Sequence, residues 1–324
     1  MAKSKTKYIP NNNQIINLFS QNGITNIERI EPLGNGEFNA VFRVVTPRKE
    51  YAVKFAPTGD TKVLTYETDM MKAEVYWYRQ IKENTDIHMP EIYVSDFSNE
   101  IFPTSCFIME MMEGEPLWAV EMSANEKTRV QEEKLKMLAQ IHNIHHDKFG
   151  YIQLGLYPTW YEAIRSMTAA LIADCEQIGE STSDGHRLLA CIDKHKTILE
   201  RVKSTMVNFD LWDSNILYHK GNIVWIDPER SFYGDPIGDF ITQGAGQKTA
   251  LKDKQKELAI YNKNAKIPIE AGAEEEIRYA VMVAYLALIE EVEKYVRYEP
   301  DEENYIRNTV DARDMYDLAF AILD

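Results

Sequence analysis

Asp210, Asn215 and Asp227 fall within the stretch NFDLWDSNILYHKGNIVWIDPE, residues 208–229, and all three side chains are capable of acid–base or metal chemistry. A carboxylate on a loop can accept a proton from a hydroxyl. An amide oxygen and a second carboxylate are the hard donors that suit Mg²⁺. Phosphoryl transfer asks for little covalent help from a protein. It needs an oriented hydroxyl, a metal bridging the phosphates, and positive charge on the transferred group. In that scheme Asp210 is the proton acceptor, and Asn215 and Asp227 are the metal ligands.

Upstream residues could supply the positive charge and the phosphate cradle. In LGNGEFNAVFRV, Gly34 and Gly36 lie ahead of a β-rich run. Glycines there let backbone N–H groups approach a phosphate with no Cβ in the way. The loop is not a Walker A motif, since no Gly-Lys-Ser/Thr follows. Nor is it a Rossmann turn, since a strand follows rather than a helix. Lys54 sits inside the apolar YAVKF, and Glu74 on the following helical segment is its possible ion-pair partner across strand and helix. A lone lysine in an apolar strand normally marks an exposed edge, and either residue taken singly is a surface charge. The glycines alone are those of a hairpin turn. The functional reading rests on the order in which all of these residues occur.

The elements that must position them read as follows. Residues 40–45 and 51–55 are β-rich runs separated by TPRKE, and EIYVSDFSN and CFIMEMM read as further strands. Met70, Ala73, Trp77 and Ile81 recur at helical spacing. The first third is therefore expected to be a five-stranded antiparallel sheet with one helix, ending near Met112. From Glu113 onward the pattern is helical. NEKTRVQEEKLKMLAQIHNIH is a long amphipathic segment, and helices are expected near 250–263, 273–297 and 303–323. The exception is a hairpin, residues 216–218 and 223–226 around Lys-Gly-Asn, which folds Asn215 and Asp227 back to the same end. The fold class is α+β. Residues 1–112 form a nucleotide-binding lobe and residues 113–324 a catalytic and substrate-binding helical lobe.

The chain of 324 residues is 44% hydrophobic and 27% charged, an ordinary globular composition long enough for two lobes. Its basic start, MAKSKTKYIPNNN, has no apolar run behind it, so no signal peptide is expected, and no apolar stretch is long enough to span a bilayer. Three widely spaced cysteines (Cys106, Cys175, Cys191) form no CxxC pair and fit a reducing, cytoplasmic location. A net charge of −15 argues against nucleic acid as a partner. The charge is unevenly spread. Residues 1–112 hold 12 Lys and Arg against 14 Asp and Glu, and residues 113–324 hold 24 against 37. The histidines at 142, 145 and 146 read as structural, and Glu274–Glu276 as a helix start.

Seven segments in order, LGNGEFNAVFRV, YAVKF, KAEVYWYRQI, FIMEMMEGEPL, LAQIHNIHHDKFG, NFDLWDSNIL and WIDPERSFYGDPIGDF, resemble the aminoglycoside phosphotransferase and choline kinase family. These are small-molecule kinases with a protein-kinase-like fold, and the resemblance runs from about Ile30 to Phe240. It implies ATP or GTP as donor, Mg²⁺, a small-molecule hydroxyl acceptor, and Asp210 as the catalytic group. It also implies that Asn215 and Asp227 hold the metal, that Lys54 holds the phosphates with Glu74 as its ion-pair partner at the nucleotide site, and that Glu110 to Met112 form a hinge pairing with the purine. Asp235 and Asp239 would brace the catalytic loop. Where the family has His-Gly-Asp, this chain has Asn208-Phe209-Asp210, and Phe209 is expected to deny the loop a glycine-only conformation. That departure is the one sign of a nucleotide-binding pseudokinase. Trp212, Asp213 and Glu229 flank the catalytic residues and are candidates for acceptor binding. The acidity of the second part points to an amine-bearing acceptor, with a neutral sugar or a ketosamine as the alternatives.

Overall fold

The computed structural model describes residues 6–34, 38–244 and 246–324. The chain opens with a helix, α1 (Asn12–Gln21), that the sequence pattern had not suggested. Its start is a capping box. Asn11 accepts from the Gln14 N–H while the Gln14 side chain accepts from the Asn11 N–H. Ile15, Leu18 and Phe19 are fully buried against one face of the sheet that follows, in a small core with Phe42, Val44, Val53, Phe55 and Ile108.

That sheet contains β1 (Arg29–Leu33), β2 (Ala40–Val45) and β3 (Glu50–Phe55). After α2 (Met70–Asn84) come β4 (Ile92–Asp96) and β5 (Cys106–Glu110). The strand order is β1-β2-β3-β5-β4, antiparallel throughout, as expected. The expected single helix becomes two, α1 and α2, and α2 belongs to a different core. Its Met70, Ala73, Trp77, Tyr78 and Ile81 are buried in the large cluster that continues into the helical part of the chain.

A two-residue strand, β6 (Glu115–Pro116), leads to α3 (Ala124–Ile141), α4 (Trp160–Gln177), α5 (Ser183–Lys194) and a single turn, α6 (Lys196–Leu199). Short strands then build the site. They are β7 (Thr205–Val207), the hairpin β8 (Ile216–His219) and β9 (Asn222–Trp225), and β10 (Phe232–Gly234), which pairs with β7. The hairpin turns through Lys220 and Gly221, both at positive φ, the signature of a tight two-residue connection. The chain ends in α7 (Gln255–Asn262), α8 (Ala273–Arg297) and α9 (Glu303–Leu323), close to the expected helices. Glu274, Glu275 and Glu276 fall in the first turn of α8, where the helix dipole favours them. From Tyr279 to Ile289 every residue of α8 is buried, so this helix is the axis of the large core. No described helix is long and apolar enough to cross a membrane.

Candidate active site

Lys54 is 3% exposed, so it is not the edge lysine that its strand context suggests. Its Nζ lies 2.8 Å from Glu74 Oε2 and 2.9 Å from Glu229 Oε2, and it also pairs with Asp227 Oδ1. Glu74 is completely buried, and a buried carboxylate without a cation would be costly. Helix α2 therefore holds the ammonium in place. One turn further along, the Tyr78 hydroxyl accepts the Asp227 N–H at 2.9 Å. The same helix face thus fixes both the lysine and the second aspartate. Tyr78 is a contributor that the sequence did not flag, because a tyrosine at helical spacing reads as core.

The hairpin does what its position between Asn215 and Asp227 requires. Ile216 faces Trp225 across β8 and β9, and the Ile226 N–H donates to the Asn215 carbonyl at 2.9 Å. Asn215 Nδ2 donates to the Asp210 carbonyl at 3.0 Å and to Asp210 Oδ2 at 2.9 Å. The amide hydrogens are spent on Asp210, which leaves the amide oxygen as the face available to a cation. Asp227 sits at φ 63, a left-handed position that turns its carboxylate out of the strand that precedes it.

Phe209 corrects an expectation. It adopts φ 61, the left-handed region that a glycine would favour, so the loop takes that conformation without one. The restraint comes from Asp239. Its carboxylate accepts the Asn208 N–H at 2.9 Å and the Phe209 N–H at 2.6 Å. It also meets His142 Nε2 at 3.0 Å, and His142 Nδ1 meets the Tyr261 hydroxyl at 2.8 Å. The Phe209 ring packs against Phe232 and Tyr285. Asn208 Oδ1 accepts the Asp210 N–H at 3.1 Å, so an amide fixes the loop from within. Asp235 acts at one remove, in a bidentate pair with Arg278 of α8 at 2.6 and 2.7 Å.

Burial pushes the Asp210 carboxyl up to about 6. Arg230 pulls it down, and Asp227 adds to the rise. Arg230 is a second contributor missed in the sequence. It is held by Glu293 at 2.8 Å, within a buried lattice of Tyr66, Glu67 and Arg297. Burial, then repulsion from Asp227, lifts Glu229 to about 7. The repulsion has a plain cause: ligand atoms of Glu74, Asp227 and Glu229 lie within 4.8 Å of one another, around one ammonium. Three carboxylates against one lysine leave negative charge that a divalent cation would neutralise. The donors are all oxygen, which suits Mg²⁺. On charge and donor type these residues fit the metal.

The remaining expected residues are placed as follows. Gly34 is at φ 71, at the end of β1, while Gly36 lies outside the described residues. Glu110 closes β5 with its N–H bonded to the Glu91 carbonyl, and Met112 N–H makes no backbone hydrogen bond among the described residues. Trp212 is partly buried against the large core. Asp213 pairs with Lys134 of α3 at 2.9 Å and is half exposed. Glu229 lies beside Lys54 and accepts from Asn39 at 2.7 Å.

Residues 29–249 match the model of a phosphotransferase enzyme family. A protein of Lactiplantibacillus plantarum named "probable ketoamine kinase" is 24% identical over 230 residues, 65% of this chain and 72% of the relative. Among solved structures, a Ralstonia eutropha protein described as a "putative aminoglycoside phosphotransferase" superposes with a TM-score of 0.69 at 16% identity. That match covers 97% of this chain and 98% of the other. The streptomycin–ATP–APH(2")-IIa ternary complex superposes at 0.61 with 18% identity, over 94% and 97% of the two chains. At these identities the structures establish the fold, that of the kinase-like phosphotransferases.

Proposed function

We propose that this chain, which belongs to the phosphotransferase enzyme family, transfers the γ-phosphate of ATP or GTP to a hydroxyl of an amine-bearing small molecule. The observation that carries the reading is the convergence of Asp210, Asn215, Asp227 and the Lys54–Glu74 pair, in which Asn215 holds the Asp210 carboxylate and Asp227 pairs with Lys54. The acceptor oxygen attacks the γ-phosphorus, and the bond to the β–γ bridging oxygen breaks. The hydroxyl proton passes to Asp210, and the nucleoside diphosphate leaves. Asp210 is suited to this because Asn215 orients one carboxylate oxygen and Asp239 fixes the backbone on which the carboxylate is carried. Lys54 binds the phosphates, whose oxygens replace Asp227 and Glu229 at its ammonium, while Glu74 stays to hold it. The Asn215 amide oxygen and the Asp227 carboxylate would hold Mg²⁺, which would supply positive charge against that of the phosphates. Glu229 serves the phosphate side with Lys54 and Asn39, and the acceptor meets Trp212 and Asp213.

Two features favour an amine on the acceptor. The second part of the chain carries most of the net negative charge, and "ketoamine" and "aminoglycoside" in the relatives' names both denote amine-bearing compounds. A pseudokinase is disfavoured because Asn208 and Phe209 hold the loop in place of His-Gly, with Asp210 still oriented by Asn215. The test is nucleotide consumption with Mg·ATP and Mg·GTP over aminoglycosides, ketosamines, amino alcohols and neutral sugars. With the best acceptor, Asp210→Asn should fold and bind nucleotide but lose roughly 10²–10⁴ in kcat, as for removal of a positioned base. A variant that kept its wild-type rate would remove Asp210 from the mechanism, and turnover only with neutral sugars would remove the amine.

A further inference from the structure

A cleft of about 260 Å³ lies away from the catalytic residues, walled by the segments around Arg201–Thr205, Lys266–Ile269 and the start of α8. None of Lys54, Asp210, Asn215 or Asp227 lines it. Three observations give it a chemistry. First, in a protein of net charge −15, four cations line this one cleft: Arg201, Lys203, Lys266 and Arg278. Carboxylates occupy two of them. Glu274 takes Arg201 at 2.6 Å, and Asp235 and Glu275 take Arg278. Lys203 and Lys266 make no ion pair or hydrogen bond among the described residues, so two ammonium groups are left over. Second, a buried strand residue, Thr205, 3% exposed, lines the same cleft, so the cleft reaches down to the core strand rather than lying flat on the surface. Third, Val202, Pro236, Ile267, Pro268 and Ile269 give the cleft an apolar wall.

We propose that this cleft binds a small organic oxyanion, a phosphate or carboxylate on a compact apolar body. The oxyanion takes Lys203 and Lys266, and the body lies on Val202 and Ile269. The position gives such a ligand leverage. Thr205 begins β7, the strand that runs straight into Asn208-Phe209-Asp210. His142 and Tyr261, also in the lining, are the chain of hydrogen bonds that ends on Asp239.

Phenyl phosphate, benzoate, inorganic phosphate and phenol, titrated by calorimetry into the full chain, test the assignment. Phenyl phosphate or benzoate should bind with a Kd in roughly the 0.1–1 mM range expected of a small ligand, and inorganic phosphate and phenol should bind more weakly. The exposed double variant Lys203→Ala/Lys266→Ala should weaken binding at least about tenfold, since charge-assisted hydrogen bonds are the strong ones. Lys54→Ala, which removes the phosphate-holding lysine of the catalytic cleft, should leave it unchanged. Binding that is lost in Lys54→Ala places the oxyanion in the nucleotide site and overturns the proposal. So does binding that survives the double lysine variant, or inorganic phosphate that binds as tightly as phenyl phosphate.

Discussion

Phe209 holds a backbone conformation that costs a bulky residue about 1–2 kcal/mol, and it does so next to Asp210, the proposed proton acceptor. Glycine would remove that cost. It would also remove a buried ring packed on Phe232 and Tyr285, where loss of an aromatic side chain costs about 3–5 kcal/mol. The second effect is larger, so Phe209→Gly should destabilise the protein by about 1–4 kcal/mol in denaturant unfolding. A gain in stability would mean that backbone strain dominates there. The two metal positions can be ranked the same way. Asp227 offers a charged oxygen and Asn215 a neutral one. Asp227→Ala should therefore weaken Mg²⁺-dependent nucleotide binding on the order of tenfold more than Asn215→Ala, measured by titrating Mg²⁺ against nucleotide affinity. Equal, small losses would place the metal elsewhere. Asp210, Asn215 and Asp227 were legible because their types and their order around a hairpin are unusual together. Tyr78 and Arg230 were not. Each is brought to the site by packing, Tyr78 through a partner 149 positions away, and no local pattern reports that.

The elements carrying the site differ in how openly the sequence announces them. The β8–β9 hairpin and α8 follow from apolar runs and a Lys-Gly turn. The strands β7 and β10, three residues each, are too short for a period to register, yet both are buried and β7 leads directly to the loop that carries Asp210. Helix α1 was missed because one amphipathic stretch of ten residues sits among asparagines, although Asn11 and Gln14 form a capping box. Helix α8 carries a testable burden. Burial, then Asp311 and Glu293, lift Glu290 to about 8, and its Oε2 is buried without a partner. In the unfolded chain this carboxyl titrates near the ordinary value of about 4.3. Because the folded pKa is the higher one, the protonated group's contribution to stability is complete below that value and is lost as pH rises to about 8. Glu290→Gln keeps the neutral form at every pH. It should raise the melting temperature at pH 8, by an amount corresponding to about 1–2 kcal/mol, and change nothing at pH 4. Equal curves at both pH values would show that Glu290 is solvated.

Charge is the property that belongs to the whole molecule. The sheet-bearing third is nearly neutral and the helical remainder holds the excess of acid, an asymmetry visible by counting residues. What counting cannot show is how much of that acid is already neutralised inside. Glu67 and Glu293 belong to a lattice with Arg230 and Arg297, and Asp235 is tied to Arg278. The field that reaches solvent therefore comes from carboxylates that keep some exposure, such as half-exposed Asp213, and from the net charge behind them. A cleft of one sign raises the encounter rate of ligands of the other sign, and this long-range part is screened over about 10 Å at 0.1 M salt. If the acceptor carries an amine, its kcat/KM should fall as salt rises, on the order of two- to tenfold between 0.02 and 0.5 M. Because most of the loss lies in encounter, kcat should change little. The nucleotide is an anion that approaches against the same field, so its own KM should rise less or even fall. An acceptor kcat/KM indifferent to ionic strength would mean that the surplus acidity serves solubility, and that the acceptor is recognised by its hydroxyls alone.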